Sequence, residues 1–123
     1  MVYIHYILIP LRFIMTQLEK INLIKTLPDR IFFFDDDKFY TIYDGNFYWF
    51  YKKLQPIKVN IISNKKKGLF AIYGSIPKAS LVYLKDEYAA EFKEIKMHKY
   101  GFSIDGIIDE KEYVIWRDSY QKK

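Results

Sequence analysis

Three stretches of this sequence carry side chains that could do chemistry. Lys65-Lys66-Lys67 places three ammonium groups on successive residues just before Gly68. At a turn tip such a run offers phosphate contacts, which need charge but little geometry; a solvated hairpin turn is its commoner meaning. Between positions 39 and 51 lie eight rings, those of Phe39, Tyr40, Tyr43, Phe47, Tyr48, Trp49, Phe50 and Tyr51. Rings beside lysines can stack on bases while the lysines neutralise phosphate. The same rings could instead fill a core, with the tyrosine hydroxyls at its surface. Asp35-Asp36-Asp37 gathers carboxylates, the hard oxygen ligands of a divalent cation. It lacks the spacing and terminal Glu of a calcium-binding hand, so a solvated turn is the simpler reading.

Catalytic constellations are hard to assemble. The chain has no cysteine and only two histidines, His5 and His98, which lie far apart. Disulfides and thiolate metal sites are therefore excluded. A metal-dependent nuclease could be sketched from Pro28-Asp29 and Asp109-Glu110-Lys111 as two carboxylates and a lysine, but eighty positions separate the halves. No serine stands in a nucleophile elbow and no glycine-rich loop matches a phosphate cradle. The sequence assigns no catalytic residue, no metal ligand and no cofactor.

Composition sets the frame around these residues. The chain has 123 residues, half of them apolar and a fifth aromatic, with a formal charge of +5. That is enough for one hydrophobic core and too little for two. The positive excess leans toward a polyanionic partner such as nucleic acid. Freedom from cysteine fits a reducing, cytoplasmic setting. The apolar stretch from Val2 to Met15 is interrupted by Pro10 and Arg12, too short for a membrane span of about 20 residues and unlike a secretory signal. Residues 1–14 are read as an edge strand or an extension outside the core, and 15–123 as one domain.

The elements that must position the candidates follow from pattern. Thr16-Gln-Leu-Glu19 has the form of a capping box, and Leu18, Ile21 and Ile24 continue at helical spacing until Pro28-Asp29. Ile31–Phe34 reads as a buried strand, Asp35–Asp37 as a turn, and Lys38–Tyr43 as an alternating strand. Asp44-Gly45 either closes a hairpin or precedes a helix capped by Asn46 and running to Leu54. Ile57–Ile61 and Leu69–Tyr73 are predicted strands joined by the lysine turn, with Gly74 breaking the second. Pro77 opens a helix on which Leu81, Leu84, Tyr88, Phe92 and Ile95 share one face. Asp105-Gly106 predicts a turn, Tyr113–Trp116 a last strand, and Asp118–Lys123 a frayed tail. The sum is an α+β domain: a mixed sheet of about five strands flanked by two or three helices.

The stretch Pro28-Asp-Arg-Ile-Phe-Phe-Phe-Asp-Asp-Asp-Lys-Phe-Tyr-Thr-Ile-Tyr43 resembles the opening of the MutS mismatch-repair family. There a Pro-acidic pair and an apolar strand lead into Gly-Asp-Phe-Tyr-Glu. Tyr73-Gly-Ser-Ile-Pro77 and the helix after it look like the family's Ala-Gly-Ile-Pro step. The resemblance covers about two thirds of the chain, from Thr16 to about Ile95. It implies a mixed sheet that contacts DNA from the minor groove, with Phe39 as a wedge beside a mispaired base. Thr41 stands where the family has Glu, and Asp37-Lys38 replaces Gly-Asp, which puts mismatch discrimination in question. The length leaves no room for the clamp and ATPase domains, so the expectation is an isolated recognition-like module.

The leading expectation is thus a non-catalytic nucleic-acid-binding module contacting its ligand through Lys38, Phe39, Thr41, Lys65, Lys66 and Lys67. The alternative is a small interaction protein, such as a phage or mobile-element inhibitor, docking on a host protein through exposed rings.

Overall fold

In the computed structural model, residues 15–121 are described; the expectation for residues 1–14, and His5 with it, lies outside them. The described chain is α+β, with one six-stranded sheet and four α-helices. Helix α1 is Gln17–Thr26, followed by strands β1 (Arg30–Asp36) and β2 (Phe39–Tyr43) and helix α2 (Asp44–Lys53). Then come β3 (Asn60–Asn64), β4 (Leu69–Pro77), α3 (Leu81–Glu87), β5 (Lys96–His98), β6 (Gly101–Asp105) and α4 (Glu110–Gln121). The strand order is β3-β4-β2-β1-β6-β5. Every neighbouring pair is antiparallel, not mixed as expected.

Strand β1 lies inside the sheet and is apolar because both its faces are covered. Ile31 and Phe33 join Ile42, Ile72, Ile76, Phe102 and Ile104 on one face, against Phe47, Trp49 and Phe50 of α2, Leu84 of α3 and Tyr113 of α4. Phe32 and Phe34 join Tyr43 and Ala71 on the other, under Ile21 and Ile24 of α1. Helix α1 starts where its sequence says it should: Glu19 N–H donates to Thr16 Oγ1 at 3.1 Å, and Thr16 N–H donates to Glu19 Oε1 at 2.8 Å.

At Asp44-Gly45 the chain turns into a helix, not a hairpin. Asn46, the cap in the helical alternative, is wholly buried inside the first turn. The rings of this segment decide the outcome by packing: Tyr48 and Tyr51 each lie 5.1 Å from the Trp116 ring of α4, centroid to centroid. Gly74 does not break β4. A side chain there would overlap the Phe47 ring, so glycine makes room for α2 to lie on the sheet.

The other differences have tertiary causes. Strand β3 begins three residues later than the pattern predicts, while Ile57 and Val59 pack on the core without strand pairing. The helix expected to reach Ile95 ends at Glu87. Beyond it Phe92 turns in to within 6.0 Å of the Phe33 ring, and Arg30 Nη2 donates to the Glu94 carbonyl at 2.6 Å. Those contacts tie the chain to β1 inside the sheet, and beyond them β5 and β6 form a hairpin the sequence reading missed, with β5 at the sheet edge. Tyr113–Trp116, read as a strand with a frayed tail behind it, is helical to Gln121. Asp109 Oδ1 accepts from Glu112 N–H at 3.1 Å, and Tyr113, Trp116 and Tyr120 recur at helical spacing.

Candidate nucleic-acid interface

The lysine run sits at the tip of the β3–β4 hairpin. Strand β4 pairs with β2 only through Tyr73–Pro77, because β2 ends at Tyr43, whereas Leu69–Ile72 pair with β3 alone. A two-stranded arm therefore runs past β2 by four residues, about 13 Å. Ala71 and Ile72 are buried, and Ile62 and Leu69 pack against the Phe32 and Phe34 cluster, so it is the turn that stands clear of the core. That turn is the single 3₁₀ turn Lys65–Lys67, held at both ends. Asn64 Oδ1 accepts from Lys67 N–H at 3.2 Å. Gly68 adopts φ 62°, the left-handed conformation that suits glycine, and its N–H donates to the Lys65 carbonyl at 3.2 Å. All three lysines are exposed. The ion pairs among the described residues are Arg30–Asp105, Lys78–Asp35 and Arg117–Asp118, so no carboxylate neutralises the tip.

Phe39 and Lys38 occupy the opposite end of the sheet. Phe39 is paired with Pro77, and the lysine turn lies beyond Leu69, so the length of β4 separates them, about 27 Å. Phe39 is 45% exposed. Its surroundings are acidic, since Asp35, Asp36 and Asp37 stand against Lys38 and Lys78 there. Lys78 Nζ donates to Asp35 Oδ1 at 2.6 Å, and this bond holds the Lys78 pKa above its ordinary value. Lys78 also lies over the Tyr40 ring.

Thr41 does not belong to an exposed contact set. It is 2% exposed, its Oγ1 donates to Asp36 Oδ2 at 3.2 Å, and it shares a hydrogen bond with Ser75 Oγ. The aromatic stretch is mostly interior. Tyr43, Phe47, Tyr48, Trp49 and Phe50 are buried, Tyr40 and Tyr51 partly so, and Phe39 alone is exposed. Burial pushes the Tyr43 hydroxyl pKa up to about 12.

The remaining sequence candidates have structural duties. Asp109 caps α4, and Asp29 lines a cleft with Asp105 that includes neither Asp109 nor Glu110. No group of three His, Asp or Glu among the described residues could hold a metal ion. His98 stacks on Tyr100 and its Nε2 lies 2.8 Å from Ser103 Oγ, to which Arg30 Nε and Nη2 also donate. Pattern missed this buried network, as it did the cleft, because each draws residues from several distant segments.

Among known proteins, the chain matches no family model, no curated protein and no solved structure.

Proposed function

We propose that this chain is a cytoplasmic, non-catalytic nucleic-acid-binding module that grips the phosphate backbone with Lys65, Lys66 and Lys67. The carrying observation is the turn itself: three uncompensated ammonium groups on a braced turn at the tip of the β3–β4 hairpin. Bracing matters because ordering a floppy tip on binding would cost entropy that a preformed turn has already lost. In this reading Phe39 is peripheral, since the aspartates beside it would meet phosphate with like charge.

The experiment is fluorescence anisotropy with a labelled DNA duplex across a salt series. Affinity should fall linearly on a log–log plot. Replacing the three lysines by alanine should weaken binding at low salt and flatten the slope by about 2.7. The alanine variant should melt like the parent, because the tip is exposed. Phe39→Ala should bind as the parent does. Absence of binding at low salt, or an unchanged slope in the triple variant, overturns the assignment.

A second reading rests on α3, where Val82 and Tyr83 are 64% and 74% exposed side by side. Such a pair can anchor a protein partner. Under that reading the chain is an interaction module, and Tyr83→Ala abolishes capture of its partner while DNA binding is absent.

A further inference from the structure

A cleft of about 530 Å³ opens at the end of the sheet where β1 begins and β6 ends, and none of the lysine turn lines it. Four segments build it. Helix α2 contributes Trp49 and Lys53, which share a helix face at a spacing of four; the turn before β1 contributes Asp29; the segment after α3 contributes Glu91 and Lys93; and β6 ends in Asp105. Two backbone bonds tie the walls: Asp105 N–H donates to the Lys93 carbonyl at 2.9 Å, and Gly106 N–H to the Asp29 carbonyl at 3.2 Å.

The polar groups here are not spent on one another. Of the charged side chains around the cleft, only Asp105 is in an ion pair, with Arg30 of the sheet. Asp29, Glu91, Lys53 and Lys93 form none among the described residues. The indole N–H of Trp49 likewise donates to no group among them. It is not one of the buried unpartnered polar atoms, which are Asp44 Oδ1 and Tyr113 OH. That N–H therefore keeps some solvent contact although Trp49 as a whole is buried, and Trp49 borders the cleft. Gly106 packs on the indole, since a side chain there would come within 3.1 Å of Trp49 Cε2.

Two cations and an N–H donor thus share one cleft with two free carboxylates. A simple anion would be repelled by the acids, and a simple cation by the lysines. A molecule carrying both charges satisfies both sets. We propose that the cleft binds a small zwitterion of dipeptide size. Lys53, Lys93 and the Trp49 indole receive its carboxylate, and Asp29 and Glu91 receive its ammonium group. The volume falls in the range of small-molecule pockets, larger than an inorganic ion needs.

The chain has two tryptophans, so each indole N–H gives its own signal in a nitrogen–proton correlation spectrum of the labelled full chain. Titration with diglycine should move the Trp49 signal and leave the Trp116 signal in place, saturating with a Kd on the order of 1 mM. The capped, uncharged analogue N-acetylglycine methylamide should leave both unmoved. Lys53→Met and Asp29→Asn should each weaken binding about tenfold, a change of about 1.4 kcal/mol, while Lys53→Arg should restore it. Both side chains are exposed, and unchanged melting curves establish that the variants are folded. The proposal is overturned if diglycine leaves the Trp49 signal unmoved, if the uncharged analogue moves it equally, or if the folded variants bind as the parent does.

Discussion

Where β2 bends away into α2, the carboxamide of Asn46 takes over as the partner of β1. Its Oδ1 accepts from Phe32 N–H at 2.7 Å, and its Nδ2 donates to the Arg30 carbonyl at 3.3 Å. Those two backbone groups lie past the last β2 pairing and would otherwise be buried without partners. Asn46→Ala would orphan both. The expected loss is about 3 kcal/mol, read as a lower midpoint in urea unfolding. A leucine should not rescue it, since the deficit is hydrogen bonding rather than volume. Sequence reading offered Asn46 either as part of a strand after a hairpin or as a helix cap, the usual post for this residue, but could not see that the neighbouring strand would run out of partners. The same blindness applied to Thr41, whose hydroxyl the structure commits to Asp36 and Ser75.

At the scale of elements, α1 was legible because its signal is local. Thr16 and Glu19 exchange hydrogen bonds across one turn, and nothing remote is needed to set them. Thr16→Ala should cost about 1 kcal/mol, and Thr16→Ser should recover most of it; thermal melts of the pair test this. Helix α3 failed for the opposite reason. Leu81, Leu84, Tyr88, Phe92 and Ile95 recur at helical spacing, yet a continuous helix could not also bring Phe92 onto Phe33 and the Glu94 carbonyl onto Arg30. Glu94 takes φ 51° to make that bend. Helix α4 shows that the periodic signal was present but outweighed: Val114-Ile115-Trp116 are strand formers, while Tyr113, Trp116 and Tyr120 repeat as a helix. The capping carboxylate of Asp109 and the rings of α2 settle it.

For the molecule as a whole, stability should respond to pH through two groups acting in opposite directions. Asp44 joins β2 to α2 at φ 56° with Oδ1 buried and unpartnered. Burial raises its pKa from 3.8 to about 6. The folded state then holds a proton that the unfolded chain releases between pH 4 and 6, so this contribution is present at low pH and lost as pH rises through that window. His98 is shifted the other way, below 6.5, by burial and by the nearby Arg30 and Lys96 charges. Its contribution is present above pH 6.5 and lost on acidification. Asp44→Asn keeps a residue that tolerates positive φ and removes the buried charge. It should stabilise the fold at pH 7 by about 2 kcal/mol, with the gain shrinking toward zero near pH 4. Paired urea titrations across this range check the sign. No helix among the described residues is long and apolar enough to cross a membrane.

What the amino-acid order determined by itself was whatever neighbouring residues decide among themselves. The α+β class, the capped first helix, the doubly buried Ile31–Phe34 strand and the glycine-closed lysine turn depend on spacing, capping and turn chemistry within a few positions. The tertiary structure alone decided which rings face inward, where α3 stops, and that Phe39 and Lys65–Lys67 stand at opposite ends of one strand. Those outcomes depend on what lies across a sheet or beneath a helix. A ring has the same preference for burial wherever it falls in the chain, and only the surfaces brought against it determine whether that preference is met.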